Sequence, residues 1–144
     1  MKKSERDSGR LWLEIIAIDQ ILYADYIKQA TILTTGGEIT IYKNHMPIAA
    51  ILQDAPLHIA NKMGNRDIIA VHGGYLTILN NEILVVADDA IFAKEIDEAR
   101  VQEDIRRNEE IIADSTVDAL SLARAEIQLK RSLTNLKISD MYKK

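Results

Sequence analysis

Through roughly the first ninety residues the apolar positions come in short runs, each closed by Gly, Asn or Pro. "LWLEIIAI" at 11–18 opens the series, and "YIKQATIL" follows at 26–33, where β-branched Ile27, Thr31 and Ile32 favour extended backbone. The Thr35-Gly36-Gly37 step predicts a turn, because glycine takes positive φ without steric cost, and "EITIY" at 38–42 is the return strand. Asn44 suits the next turn, and Pro47, which has no N–H, ends ladder donation. "LHIANK" and "RDIIAV" flank Met63-Gly64-Asn65, while "YLTIL" and "EILVVA" flank Asn80-Asn81, so both pairs predict hairpins. Closely spaced strands with turn punctuation and no helix between them predict a β-sandwich or barrel.

From Lys94 the pattern changes, and neither Gly nor Pro occurs from there to Lys144. Asp97 stands where a carboxylate caps a helix N-terminus and meets its dipole favourably. Val101, Ile105 and Ile112 then fall on one helical face, a narrow stripe. Asp114-Ser115-Thr116 supplies a break and a new N-cap. A second helix, Val117 to about Ile138, carries Leu120, Ala123 and Ile127 beside Leu122, Leu129, Leu133 and Leu136. Two helices joined by a few polar residues form an antiparallel hairpin. The expected fold is therefore α+β: an N-terminal all-β sandwich of about ten short strands in domain 1–93, with residues 1–10 a polar extension, followed by a C-terminal antiparallel two-helix hairpin in domain 94–144. The first helix has so thin an apolar face that the hairpin is expected to borrow burial from a partner or from the sandwich.

Composition narrows the function. At 144 residues, with 47% apolar and 28% charged residues, the chain can bury a core and is not expected to be disordered. The absence of cysteine excludes a disulfide framework, a thiolate metal site and a cysteine nucleophile, and points to a reducing compartment. No apolar run is long enough for a signal peptide or a membrane span, so a soluble, cytoplasmic protein without direct membrane insertion is expected. A net charge of −4 argues against nucleic acid as a partner. Residues 1–92 hold 11 acids and 8 bases, residues 93–113 hold 7 and 4, and residues 114–144 hold 4 and 6, so only the last segment is net basic.

Candidate chemistry is sparse. The phosphate-loop, nucleophile-elbow, zinc-protease and dinucleotide motifs are all missing. His45, His58 and His72 fall on separate expected elements and do not predict a metal site; His58 reads as a surface or hydrogen-bonded strand residue. Asp88 and Asp89 point to opposite faces of an extended chain and read as the polar end of a strand. Arg100 and Arg107 are seven apart, as are Arg124 and Arg131, which puts each pair on one helix face. One reading is a solvated face with Glu103–Arg107 and Glu126–Lys130 pairs; the other is a cationic surface for a phosphate or an acidic partner.

Three blocks give the chain a resemblance to a known family. "GEITIYKNHMP" at 37–47, "VHGGYLTILNNEILVVAD" at 71–88 and "EIDEAR" at 95–100 occur in the order and spacing of the epsilon subunit of the rotary ATP synthase. Thr40 stands where that family usually has glycine, Lys43-Asn44 replaces Pro-Gly, and Met46 replaces a small residue. The resemblance implies a non-catalytic central-stalk subunit, peripheral on the cytoplasmic face of an energy-transducing membrane. Its sandwich would sit as a foot between the gamma subunit and the membrane ring. Its hairpin would be a regulatory arm that transiently meets the catalytic alpha/beta head and restrains ATP hydrolysis. Gly36, Gly37, Glu38, Tyr42 and His45 are the implied ring-interface residues, and Arg124, Lys130 and Arg131 the implied contacts of the inhibitory arm. No cofactor is required. A regulatory ATP is implied through Asp97 and Arg100, with Val101 where the family motif has Ala, and with Arg124 or Arg131 across the hairpin. Alternatives are a free-standing β-sandwich ligand-binding module with a helical dimerisation tail, and an enzyme of unknown type.

Overall fold

The computed structural model describes residues 10–143; residues 1–9 of the expected N-terminal extension lie outside the described residues. The chain divides into two compact units, one ending at Phe92 and the other starting at Ala93.

The first unit is built from β1 (Trp12–Ala17), β2 (Gln20–Thr34), β3 (Gly37–Tyr42), β4 (Ile48–Ile51), β5 (Ala55–Asn61), β6 (Arg66–His72), β7 (Tyr75–Leu79), β8 (Glu82–Ala87) and β9 (Asp89–Phe92). Neighbouring strands run β4-β7-β8-β1-β2-β5-β6-β9, with β3 also paired to β2. The 15-residue β2 is the corner of the sandwich. Its first half pairs with β1, and its second half lies between β3 and β5. Register shifts at Ile15/Ile16 and Ile27/Gln29 mark bulges, which bend a strand and let it pass from one layer to the other. β1 and β8 pair in parallel, Trp12 opposite Glu82 through Ala17 opposite Ala87.

Alternation along the strands aims one side chain in two at the core. Leu13 and Ile15 of β1, Leu76 and Ile78 of β7, and Ile83 and Val85 of β8 join Ile32, Ile41, Leu57, Ile59, Ile69 and Val71; all twelve are at most 2% exposed. Trp12 and Tyr26, opposite each other in the β1–β2 ladder, meet edge to face with ring centroids 5.0 Å apart.

Nine strands are described, in line with the expected sandwich of about ten. Details of this unit depart from the sequence expectation. The strand expected at 26–33 begins at Gln20, and the one expected at 11–18 ends at Ala17. Asp89 does not end a strand but opens β9, opposite His72. Ile18 and Asp19 form the β1–β2 turn with φ of 50° and 59°. Asn80 and Asn81 adopt the same left-handed pair, 51° and 62°, between β7 and β8. Asparagine suits that conformation, whereas a β-branched isoleucine is strained in it, and Ile18 is 71% exposed, so it gains no packing in return. Ile18→Asn is expected to raise the free energy of unfolding by about 1 kcal/mol, measured by denaturant titration.

The second unit holds a short 3₁₀ turn (Ala93–Glu95), α1 (Glu98–Ala113) and α2 (Ala119–Lys143). Asp97 caps α1 as expected, its carboxylate accepting from the backbone N–H of Ala99 at 3.1 Å and Arg100 at 3.3 Å. α2 starts later and runs further than expected. Asp118, not Ser115 or Thr116, accepts from Ser121 N–H at 3.4 Å, while Asp114 closes the connection by accepting from Thr116 N–H and hydroxyl. The helices are antiparallel, because Glu98 at the start of α1 accepts from Ser139 and Lys143 near the end of α2. On α1 the half-buried apolar positions are Val101, Ile105 and Ile112; on α2 positions 122, 125, 129, 132, 136 and 139 follow a 3–4 spacing that keeps them on one face, and 131, 134, 135 and 138 beside them are also covered, Ile138 to 1% exposure. Leu120, Ile127 and Leu133, expected among the apolar face of α2, are instead 59%, 51% and 49% exposed.

Candidate functional site

The turn from β2 to β3 is braced from beneath. Thr34, 4% exposed, donates its hydroxyl to Gly37 C=O at 2.8 Å and accepts from Gly36 N–H at 3.1 Å, while Gly37 sits at φ +117°. Gln53 donates to Thr34 C=O at 3.0 Å, and Thr35 N–H donates to Ile51 C=O at 2.9 Å, so the turn is tied to the end of β4. Glu38 is exposed on β3 beside it. Tyr42, 55% exposed, lies at the far end of β3, four residues or roughly 13 Å from Glu38. His45 lies beyond it, half-buried, its Nδ1 2.7 Å from Met46 C=O. The five candidate ring-interface residues thus form two patches rather than one.

Sequence reasoning missed what surrounds the first patch. Thr35 and Gly36 share a groove of about 630 Å³ with Ile48, Ala49, Ile51 and Tyr75. Ile51 and Tyr75 face each other in the β4–β7 ladder and are 64% and 49% exposed. The unbroken apolar run "IAAIL" after Pro47 was the available signal, since a strand with one buried face alternates. In the second patch Asn44 takes φ 65°, and its backbone N–H donates to Asn81 Oδ1 at 2.6 Å. Asparagine enters that left-handed conformation more readily than other residues with a side chain.

In the hairpin, the candidate nucleotide residues do not all converge. Asp97 is occupied in capping. Glu98 sets the register against Ser139 and Lys143, which puts Arg131 roughly 9 Å and Arg124 roughly 20 Å along the axis from the level of Arg100. Arg124 and Lys130 are exposed and Arg131 is half-buried. Glu103 pairs with Arg106 rather than Arg107; Arg106 also bonds Glu110, and Arg107 lies 3.6 Å from Asp104. Among the described residues no three potential metal ligands cluster, and no described helix is long and apolar enough to cross a membrane.

Residues 10–93 match the family described as "ATP synthase, Delta/Epsilon chain, beta-sandwich domain". The chain belongs to this family. Its fold is also that of a chain in the Euglena gracilis mitochondrial ATP synthase, described as OSCP/F1/c-ring in rotational state 1, with a TM-score of 0.72 at 17% identity over 88% of this chain and 79% of that one. A chain of the Tetrahymena thermophila mitochondrial ATP synthase, from a structure of the central stalk and c-ring, gives a TM-score of 0.56 at 13% identity over 90% and 96%.

In this delta/epsilon chain four carboxylates of the hairpin, Glu98, Glu103, Asp114 and Asp118, are favoured in their charged form. Glu98 is lowered first by its bond from Lys143 and then by that from Ser139; Glu103 by Arg106; Asp114 by Thr116; Asp118 by Ser121. A carboxylate whose pKa is depressed by folding adds stability above its unfolded pKa, and that stability is lost as pH falls through the folded one. Helicity of residues 93–144, followed by circular dichroism, is therefore expected to be unchanged from pH 7 to 5 and to fall progressively below the ordinary carboxylate range. Glu98→Gln should remove part of that acid sensitivity.

Proposed function

We propose that this delta/epsilon chain is a non-catalytic central-stalk subunit of a rotary, proton-translocating ATP synthase, held peripherally at the membrane. Its sandwich meets the gamma subunit and the polar loops of the membrane ring, coupling the catalytic head to the ring. Its hairpin regulates ATP hydrolysis by transient contact with the alpha/beta head. The observation that carries the first part is the braced Gly36-Gly37 turn. Its rigid backbone, the exposed carboxylate of Glu38 and the exposed apolar pair Ile51 and Tyr75 combine a charged rim with an apolar centre, the anatomy of a partner surface. The hairpin reading is supported by an α2 that leaves Leu120, Ile127 and Leu133 exposed on a net basic segment.

The test is Glu38→Lys in the assembled enzyme. A reversed charge facing a basic loop is expected to weaken association of rotor and ring by about tenfold or more, and to reduce ATP-driven proton pumping to match. The exposed position leaves the fold of the subunit unchanged, which thermal unfolding checks. Normal assembly and pumping with Lys at position 38 would remove this turn from the ring interface.

A further inference from the structure

Between residues 10 and 92 the chain has five basic residues, Arg10, Lys28, Lys43, Lys62 and Arg66. Four of them, all but Arg66, line a single cleft of about 300 Å³ in the sandwich, with Leu11, Tyr26 and Ile27 as its apolar wall. They arrive from four separate segments: the lead into β1, the middle of β2, and the exits of β3 and β5. Pairing holds those segments together, Ile27 N–H donating to Leu11 C=O at 3.0 Å, Ile27 lying opposite Asn61, and Gln29 opposite Tyr42. Lys28 is the residue skipped by the register between Ile27 and Gln29, and a bulge re-aims the side chain it carries. The Arg10 guanidinium is seated 3.9 Å above the ring of Tyr26, which orients the cation.

Among the described residues, Asp25 is the carboxylate that pairs with any of the four, 3.3 Å from Lys62. Among the described residues, four cations against one paired anion leave an excess of three, in a chain whose net charge is −4. Crowding like charges is unfavourable until an anion occupies the space between them. A flat guanidinium fork and three ammonium groups approaching from different directions suit the tetrahedral oxygens of a phosphate better than a planar carboxylate. We propose that this cleft is a binding site for a phosphate-bearing anion, supplied either by a free polyphosphate or by a phospholipid headgroup. It is separate from the Gly36–Glu38 turn and the groove beside it, while Lys43 adjoins Tyr42 of the second candidate patch.

The full-length chain is titrated with pyrophosphate by calorimetry at low ionic strength. In parallel it is sedimented with phosphatidylcholine vesicles with and without phosphatidylglycerol. The variants are Lys28→Gln/Lys43→Gln, both positions exposed, and Lys137→Gln in the hairpin as the charge control. Saturable binding is expected, about tenfold weaker in the double variant and unchanged in the control. Uptake of pyrophosphate assigns the site to a free phosphate; binding confined to vesicles containing phosphatidylglycerol assigns it to a headgroup. Absence of binding in both arms, binding indifferent to the double substitution, or equal weakening in the control overturns the proposal.

Discussion

Gly74→Ala is expected to abolish a stable sandwich. A Cβ at this position would stand 1.9 Å from Val86 O and 2.7 Å from Ala87 Cα, backbone atoms that belong to or border the central strand β8, and the residue sits at φ +94°. Neither the clash nor the dihedral can be relieved by a side-chain rotation, so the strand itself must move. Gly74 C=O also accepts from Leu52 N–H at 3.0 Å, which ties any displacement to the end of β4. The loss is expected to exceed about 3 kcal/mol, or a fall in melting temperature of more than about 10 °C. Gly36→Ala is the control: its Cβ would meet only Thr34 Oγ1 at 3.7 Å, an ordinary contact, and its cost should stay within about 1 kcal/mol. Thermal unfolding of both purified variants decides. A Gly74→Ala protein melting close to the wild type would mean that β8 does not approach this backbone as described.

Truncation after Asp114 should leave assembly intact and release hydrolysis. Every residue of the sandwich core lies at or before Phe92, so removal of α2 takes no side chain from it. What remains of the hairpin is α1, none of whose residues is buried, and it loses the bonds from Ser139 and Lys143 to Glu98. An isolated helix of 16 residues is marginal in water, so α1 should fray once α2 is gone. With the arm acting as a two-state brake, ATP hydrolysis by the assembled enzyme is expected to rise at least about fivefold, the lower end of ordinary coupling energies. Charge reversal at Arg124 with Lys130 and Arg131 should give part of that rise, less at high salt. Hydrolysis equal to that with the intact arm would make the hairpin structural.

Much of the fold was legible along the chain because its signals are local. The Gly36-Gly37 turn, the Met63-Gly64-Asn65 and Asn80-Asn81 hairpins and the Asp97 cap each depend on a few neighbouring residues and their own dihedrals, and each stands where the residue pattern puts it. The corner strand was not legible. Residues 20–25 carry no turn or alternation signal that separates them from a loop, and only pairing with β1 makes them strand. The parallel β1–β8 pair joins residues some seventy apart, and no local pattern encodes a partner at that distance. The Ile18 turn was hidden because the ladder on both sides forces φ positive against the residue's own preference.

The same division runs through the sites. Glu38 could be placed on an exposed turn by its neighbours, and Asp97 at a helix start. That Tyr42 and His45 fall at the opposite end of β3, that Ile51 and Tyr75 flank the turn, and that Glu98 rather than Asp97 joins the two helices depend on which strands and helix turns lie side by side. Leucine spacing on α2 marks more than one candidate face, and the register set by Glu98 with Ser139 and Lys143 chooses among them, leaving Leu120, Ile127 and Leu133 outside. Four lysines and arginines scattered from position 10 to position 62 become one cleft only through the bulge in β2 and its pairing on both sides. Local preference specifies where elements begin and end; burial and long-range pairing, which act between residues far apart in the chain, decide which of their faces meet.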